Sequence, residues 1–138
     1  LNQEEFNKWF NSILNSLNIY YLVWSKELKQ YTGIQCYMRI DNNNGVIEIG
    51  DILWSSLMSR SFIATETIYL MLKYVFELGY RRVEWKCDSN NLPSRRAAER
   101  FGFKYEGLFR QHMIVKGKNR DTAWFSILDN EWNSLKTS

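Results

Sequence analysis

The hydrophobic residues of this chain change their spacing several times, and each change predicts a different element of secondary structure. Near the start they recur every three or four residues, which is typical of an amphipathic helix: Phe6, Trp9, Phe10, Ile13, Leu14 and Leu17. Asn2 and Glu5 have the spacing of a capping box in its first turn. The segments 19–24, 33–40 and 46–54 are rich in β-branched and aromatic residues and predict three strands. Their short connections predict an antiparallel meander.

A helix and a second group of strands follow the meander. Residues 64–78 have apolar positions at helical spacing, and Gly79 is typical of the residue that ends a helix. The rest of the chain predicts, in order, a strand, a short helix, a strand start and a hairpin: 82–87, 91–101, 103–107 and 111–128. Because a helix joins strands 46–54 and 82–87, we expect these two strands to be parallel. The sequence therefore predicts one α+β domain over residues 1–138, with a mixed, mostly antiparallel sheet and flanking helices.

Composition and charge narrow the range of functions. A net charge of +3 is too small for a dedicated nucleic-acid-binding domain but suits a polyanionic small ligand. No apolar run approaches the length of a membrane span, so no membrane partner is expected. The two cysteines, Cys36 and Cys87, are too few for a disulfide framework and have no further partners for a metal site. These features favour a cytoplasmic protein without a metal.

The stretch "CDSNNLPSRRAAERFGFKYEG", residues 87–107, carries the most specific pattern in the chain. Asn91 and Ser94 open the short helix, and Gly102-Phe103 and Glu106-Gly107 follow it. In this spacing the chain resembles the GNAT acyltransferases, and in particular their RimJ/RimL-type branch, which acetylates protein N-termini and related amines. The resemblance implies a splayed parallel strand pair and acetyl-CoA as cosubstrate. It also implies that about the first strand and helix of a standard domain are absent, through truncation or divergence.

The resemblance assigns the diphosphate of acetyl-CoA to the start of the long helix, where backbone N–H groups and the helix dipole favour an anion. The family's loop pattern, Q/R-x-x-G-x-G/A, falls on Ser59, Phe62 and Ala64, and only Ala64 fits it. Arg60 is expected to add positive charge where the glycines are missing. The alternative is an ordinary helix start with a surface arginine. The cofactor-binding residues expected here are Arg60, Ser61, Ala64 and Thr65.

The resemblance assigns the pantetheine arm to the gap between the two parallel strands. Backbone groups of Ile52, Leu53 and Trp54 are expected to pair with its amides. On the short helix, Asn91 is expected to bond the arm as well as to cap the helix, and Arg96 to reach the 3′-phosphate. A helix cap and a solvated helix face are the simpler alternatives for these two residues.

Amine acetylation needs a neutral amine, a donor for the developing oxyanion and a proton for the departing thiolate. Glu48 is the candidate base, with a sheet-surface carboxylate as the alternative. Asp51 has the opposite strand parity, unless a bulge at Gly50 changes it. Ser94 is the candidate donor on the thiolate side, because Ala98 stands where many family members have tyrosine; the alternative for Ser94 is a capping hydroxyl.

The acceptor is expected to be a primary amine, either a protein N-terminal α-amine or a small-molecule amine. An α-amine, with a pKa of about 7.7–8.0, is far easier to deprotonate than lysine at about 10.4. The enzyme is expected to act as a monomer or homodimer. The alternative is a GNAT-like module that binds acetyl-CoA or a partner without catalysis, because Met113 stands where some relatives of this branch have a glutamate.

Overall fold

The structure is a computed structural model that describes residues 2–14, 17–58 and 62–136. Asn2 Oδ1 accepts the backbone N–H of Glu5 at 2.8 Å and so caps the first helix, as its spacing predicts. The elements, in chain order, are α1 (Gln3–Leu14), β1 (Ile19–Ser25), β2 (Gln30–Asp41), β3 (Val46–Trp54), α2 (Phe62–Glu77), β4 (Arg82–Asp88), α3 (Leu92–Arg100), β5 (Lys104–Val115), β6 (Lys118–Leu128) and α4 (Asp129–Leu135).

The strands form one six-stranded sheet in the order β1-β2-β3-β4-β6-β5. Among the described residues β3 and β4 form the one parallel pair, and α2 is the crossover between them. The α+β class with a mixed sheet is therefore confirmed. Helix α4 was not predicted, because its seven residues contain too few apolar positions to show a period. No helix within the described residues has both the length and the apolar character needed to cross a bilayer.

The main core lies between one face of the sheet and helices α2, α3 and α4. Alternate strand residues point into it, and they meet Ile68, Leu72 and Val75 of α2 and Trp132 of α4. The strand residues buried there include Ile47, Ile49, Val83, Trp85, Cys87, Ala123, Phe125 and Ile127. The residues between them, among them Glu48, Glu84 and Lys86, must face the opposite side of the sheet.

The sheet divides into a fork between β3 and β4. Their ladder contains three pairs, Val46–Arg82, Ile47–Val83 and Glu48–Glu84. Beyond these pairs β3 stays with β2 as far as Trp54, and β4 stays with β6 as far as Asp88. Within the described residues, each of the two strands thus has an edge that faces the gap without a ladder partner. The splayed parallel pair expected from the resemblance is present.

A bulge in β3 changes which side chains face the core. One residue of β2, Gln35, lies opposite two residues of β3, Asp51 and Ile52. Before the bulge Ile49 packs on the core, and after it Ile52 and Trp54 pack on the same core although their numbers have the opposite parity. The bulge that the preceding glycine was expected to permit is therefore present.

Candidate active site

A buried ion pair bridges the two strands at the apex of the fork. Lys86 Nζ of β4 lies 2.7 Å from Glu48 Oε1 of β3, and the two side chains are only 8% and 7% exposed. Arg39 Nε is a second cation, 3.3 Å from the same oxygen. Glu48 is therefore buried and neutralised rather than exposed on the sheet surface.

The ion pair continues into a charged network along the same face of the sheet. Lys86 Nζ lies 3.3 Å from Glu84 Oε1, and Arg82 Nε lies 3.0 Å from Glu84 Oε2. The Arg82 guanidinium also donates two hydrogen bonds to Glu106, of 2.6 and 2.7 Å, and the Ser126 hydroxyl donates one of 2.7 Å. The hydrogen bonds from Arg82 lower the pKa of Glu106. The glutamate of the "YEG" motif thus ties β5 to β4 across β6.

Ser94 lies on the other face of the fork, in the first turn of α3. Asn91 Oδ1 accepts the Ser94 backbone N–H at 3.2 Å, so Asn91 caps the helix as predicted. The Ser94 hydroxyl oxygen accepts the indole N–H of Trp85 at 3.1 Å. Burial raises the pKa of the neighbouring Cys87 thiol, and the hydrogen bond from Ser94 opposes that rise. Ser94 is therefore placed to donate to a sulfur atom on the helix side of the fork.

Trp54 leaves a buried donor at the open end of the fork. Its indole Nε1 is buried and has no hydrogen-bond partner within the described part of the chain. Its ring packs edge-on against Phe101, at 6.1 Å between centroids, and Phe101 also contacts Trp85 of β4 at 6.0 Å. A buried N–H without a partner is costly unless a ligand satisfies it.

The start of α2 meets the same region. Ala64 is fully buried against Val23 and Met58, and Trp54 packs on this small cluster. Phe62 is 90% exposed, so its ring does not fill the space where an anion would bind the first turn. The first-turn N–H groups of a helix have no intrahelical partner. The side chain of Ala64 thus contributes to packing, and only the backbone of Ala64 can contact a ligand.

The remaining predicted binding residues are less closely grouped. Thr65 and Arg96 are exposed, on α2 and α3. Ile52 packs on the main core, while the backbone of Leu53 pairs with β2 and its side chain lies outside the described residues. Ser59, Arg60 and Ser61 also lie outside them. The structure therefore brings together Glu48, Trp54, Ala64 and Ser94 around the fork.

Three charged residues at the fork were not singled out from the sequence: Arg39, Glu84 and Lys86. A usable signal was present for two of them, because Glu84 and Lys86 alternate with the buried residues of β4 and so share one face. Opposite charges on one face of a sheet lie close enough to pair with each other and with charges on neighbouring strands. Their contact with Glu48 depends on strand register and could not be read from spacing.

A further cavity lies away from the fork. It has a volume of about 720 Å³ and lies between α2 and strands β1 and β2. Tyr21, Trp24, Leu70 and Tyr74 contribute to its walls, and the fully buried Gln35 lines it with neither amide atom hydrogen-bonded within the described residues. This cleft is separate from the chemistry proposed below.

A sheet that forks at a parallel pair, with a helix start and a second helix at the open end, is the architecture of an acyl-CoA-binding fold. Comparison with known proteins agrees with this class. A family model described as an acetyltransferase (GNAT) domain matches residues 1–104. The chain belongs to the GNAT acetyltransferase family.

Individual relatives are similar over most of this chain but are longer than it. A GCN5-related N-acetyltransferase from Brucella melitensis has 54% sequence identity and a TM-score of 0.93, covering 99% of this chain and 62% of its own. The uncharacterised N-acetyltransferase p20 of Bacillus licheniformis is 32% identical over 78% of this chain and 60% of its own length. YdaF of Bacillus subtilis, whose name provisionally assigns it to ribosomal N-acetylation, is 32% identical over 77% of this chain and 60% of its own length. The chain thus spans about three-fifths of the length of these relatives.

Proposed function

We propose that this chain is an acetyl-CoA-dependent N-acetyltransferase domain that transfers acetyl directly to a primary amine in a ternary complex. One observation carries the proposal: the fork has a carboxylate, Glu48, on one face and a hydroxyl donor, Ser94, on the other. Direct transfer needs a proton acceptor on the amine side and a proton or hydrogen-bond donor on the sulfur side. Family membership supports the same reaction.

The residues around the fork fit the parts of acetyl-CoA, which supplies the acetyl thioester. The unpaired edge of β3 from Ile52 to Trp54 would bind the amide-bearing arm, with the buried Trp54 N–H as a further donor. The first turn of α2, with Ala64 and Thr65, would bind the diphosphate together with Arg60 and Ser61, the residues that precede the helix in the sequence. From α3, Asn91 would bond the arm and Arg96 would reach the 3′-phosphate. These assignments extend the expectations from the sequence.

Glu48 and Ser94 have distinct proton roles in this proposal. The ion pairs of Glu48 with Lys86 and Arg39 both use Oε1. Glu48 Oε2 is therefore the atom that takes the proton from the acceptor ammonium. The Ser94 oxygen accepts a bond from Trp85, and its own O–H proton is donated to the Cys87 thiol. In the reaction the departing sulfur would replace that thiol as the acceptor.

The acceptor we favour is a protein N-terminal α-amine, with small primary amines as the second class. An α-amine is partly neutral near pH 7.5, whereas a lysine side chain needs about 3.5 kcal/mol more for deprotonation. A base that two cations already neutralise suits the easier amine. The similarity to YdaF, which is named for ribosomal N-acetylation, supports the RimJ/RimL-type assignment.

A second candidate function is acetyl-CoA binding without catalysis. The double ion pair at Glu48 favours it, because two cations already contact Oε1 and the side chain is only 7% exposed, which leaves little room for an incoming amine. Met113 of β5, 40% exposed, offers no second carboxylate in its place. The two functions share the cosubstrate and differ only in turnover.

A thiol-release assay with acetyl-CoA and a panel of N-terminal peptides and small amines tests the proposal. We expect turnover in the wild type, and a loss of about 10²-fold or more in Glu48→Gln with acetyl-CoA affinity retained. Glu99→Gln is the matched control, since Glu99 is exposed on α3. Melting curves recorded alongside separate lost catalysis from lost folding. Binding without thiol release for any amine would leave only the module.

A further inference from the structure

The fork already holds a buried primary ammonium, and it belongs to the chain itself. Lys86 Nζ lies 2.7 Å from Glu48 Oε1 and 3.3 Å from Glu84 Oε1. It also lies 4.0 Å from the centroid of the Trp124 ring. Its side chain is 8% exposed. Two carboxylates and an aromatic face together form a complete site for an ammonium group.

The position of this ammonium coincides with the place where the proposed reaction needs one. Glu48 is the last residue of β3 that pairs with β4, and Lys86 lies two residues beyond the last paired residue of β4. The Lys86–Glu48 contact therefore crosses the gap at the apex of the fork. An acceptor amine that gives its proton to Glu48 has to enter the same small volume.

The network can release Lys86 without leaving either carboxylate alone. Glu48 keeps Arg39 at 3.3 Å, and Glu84 keeps Arg82 at 3.0 Å. Removing one member of a buried ion pair is most costly when the other has no further partner. Lysine has a long stem with several rotatable bonds, which allows its head group to move while the strand stays in place.

We propose that Lys86 Nζ occupies the binding position of the acceptor's primary ammonium, and that the acceptor binds by displacing it. Lys86 is then a specificity-determining residue that competes with weakly bound amines. The inference rests on the proposed function and adds the acceptor's position to it. The local network contains three carboxylates and three cations, Lys86 included. Its charges are therefore balanced, and one ammonium group can enter when the ammonium of Lys86 leaves. A singly charged amine therefore fits better than a polyamine.

The first test uses a variant whose missing atoms can be supplied from solution. Lys86→Ala removes three methylene groups and the ammonium, which together correspond to n-propylammonium. We expect n-propylammonium chloride at saturation to raise the Tm of Lys86→Ala by several degrees. The wild type, whose site is filled, should not respond. Tetramethylammonium chloride at equal ionic strength should affect neither protein, because it has no N–H to donate.

The second test asks whether this position is the acceptor's. In Lys86→Ala the KM for a small primary amine should fall about tenfold, while the KM for acetyl-CoA stays within about twofold of the wild type. Lys86→Arg, which keeps a cation in place, should retain the wild-type amine KM. If propylammonium stabilises Lys86→Ala but its KM as acceptor is unchanged, the acceptor binds elsewhere and the proposal is wrong.

Folding failure is also decisive. If Lys86→Ala and Lys86→Gln both fail to fold, with or without propylammonium, Lys86 is required for folding and the proposal is overturned. The result is independent of the proposed function. A wild type that does not bind acetyl-CoA would end the case for acetyl transfer, whereas the propylammonium response of Lys86→Ala would still report an ammonium site.

Discussion

The two halves of the sheet on either side of the fork are built differently. In the β4–β6–β5 half every residue of β4 pairs with β6, and Trp85, Phe103 and Phe125 fill the core beneath. In the β1–β2–β3 half the β2–β3 ladder is interrupted twice, and the fully buried Gln35 leaves both amide atoms without partners within the described residues. The β5–β6 ladder is also interrupted twice, so the β1–β2–β3 half, the open half, differs from the β4–β6–β5 half, the closed half, by the unpartnered Gln35 amide beside its cleft rather than by the regularity of its ladders.

This difference indicates where stability and function are located. Charges in the closed half are linked through Arg82 to Glu84 and Glu106, so that half holds its polar groups in fixed positions. The open half combines a cleft of about 720 Å³ with the unpartnered Gln35 amide, whereas a buried indole N–H without a partner within the described residues occurs in both halves, at Trp54 and at Trp124. Core substitutions should therefore lower the free energy of unfolding more in the closed half than in the open half. In the open half, replacing the buried amide of Gln35 should raise it.

The largest expected effect is in the core of the closed half. Phe125 is fully buried, and Phe125→Ala should lower the free energy of unfolding by roughly 3–5 kcal/mol. Val23, 8% exposed in the small cluster of the open half, should lose only roughly 1–2 kcal/mol in Val23→Ala. Urea denaturation of both variants measures the contrast. A loss in Val23→Ala as large as the loss in Phe125→Ala would contradict the contrast between the halves.

A smaller loss is expected where α3 joins β5. Gly102 has φ of +98°, and an added Cβ would lie 2.9 Å from the Leu135 side chain of α4. Gly102→Ala should cost roughly 1–3 kcal/mol, from backbone strain together with displacement of Leu135. Thermal melts should show less loss in Gly102→Ala when it is combined with Leu135→Ala. If the loss of Tm caused by Gly102→Ala is the same in the presence of Leu135→Ala, the whole loss comes from backbone strain.

The open half should instead tolerate, and gain from, loss of a polar group. Gln35→Leu removes a buried amide without partners, so we expect the free energy of unfolding to rise by roughly 1–2 kcal/mol. Gln30→Leu, at an exposed position of the same strand, is the matched control and should change little. A clear destabilisation by Gln35→Leu would show that the amide has a partner that matters.

The smallest effect is the pH dependence contributed by Glu106. Hydrogen bonds from Arg82 lower the pKa of Glu106 in the folded state, so this group stabilises the fold above its unfolded pKa of about 4.3. That contribution is lost as the pH falls through the lower folded value. The side chain is 42% exposed, so solvent screening should limit the effect to about 1 kcal/mol or less. Glu106→Gln should show a correspondingly shallower loss of Tm below pH 4.5.

The sequence predicts most of the fold but less of the candidate site. Hydrophobic spacing indicated α2 and the strands, and the helix joining residues 46–54 to 82–87 required a parallel pair. The stop after three ladder pairs followed from the family resemblance rather than from spacing. The Lys86–Glu48 contact joins residues 38 positions apart, so it depends on a register that no local pattern specifies.

The roles of single residues separate in the same way. Asn91 was predictable as a helix cap because capping depends on neighbours three residues away. Ala64 was assigned to the cosubstrate by its position in a motif, yet its side chain serves packing. The orphan N–H of Trp54 depends on the surroundings of the whole ring, which spacing does not describe.

The central claim is that the gap between β3 and β4 admits the arm of an acyl-CoA. Calorimetric titration of the wild-type chain with acetyl-CoA tests it most directly. We expect saturable binding of one acetyl-CoA per chain, weakened in Trp54→Phe, which removes the orphan N–H and keeps an aromatic ring. A titration without saturable heat at any temperature tried, on a folded wild-type chain, would contradict the account.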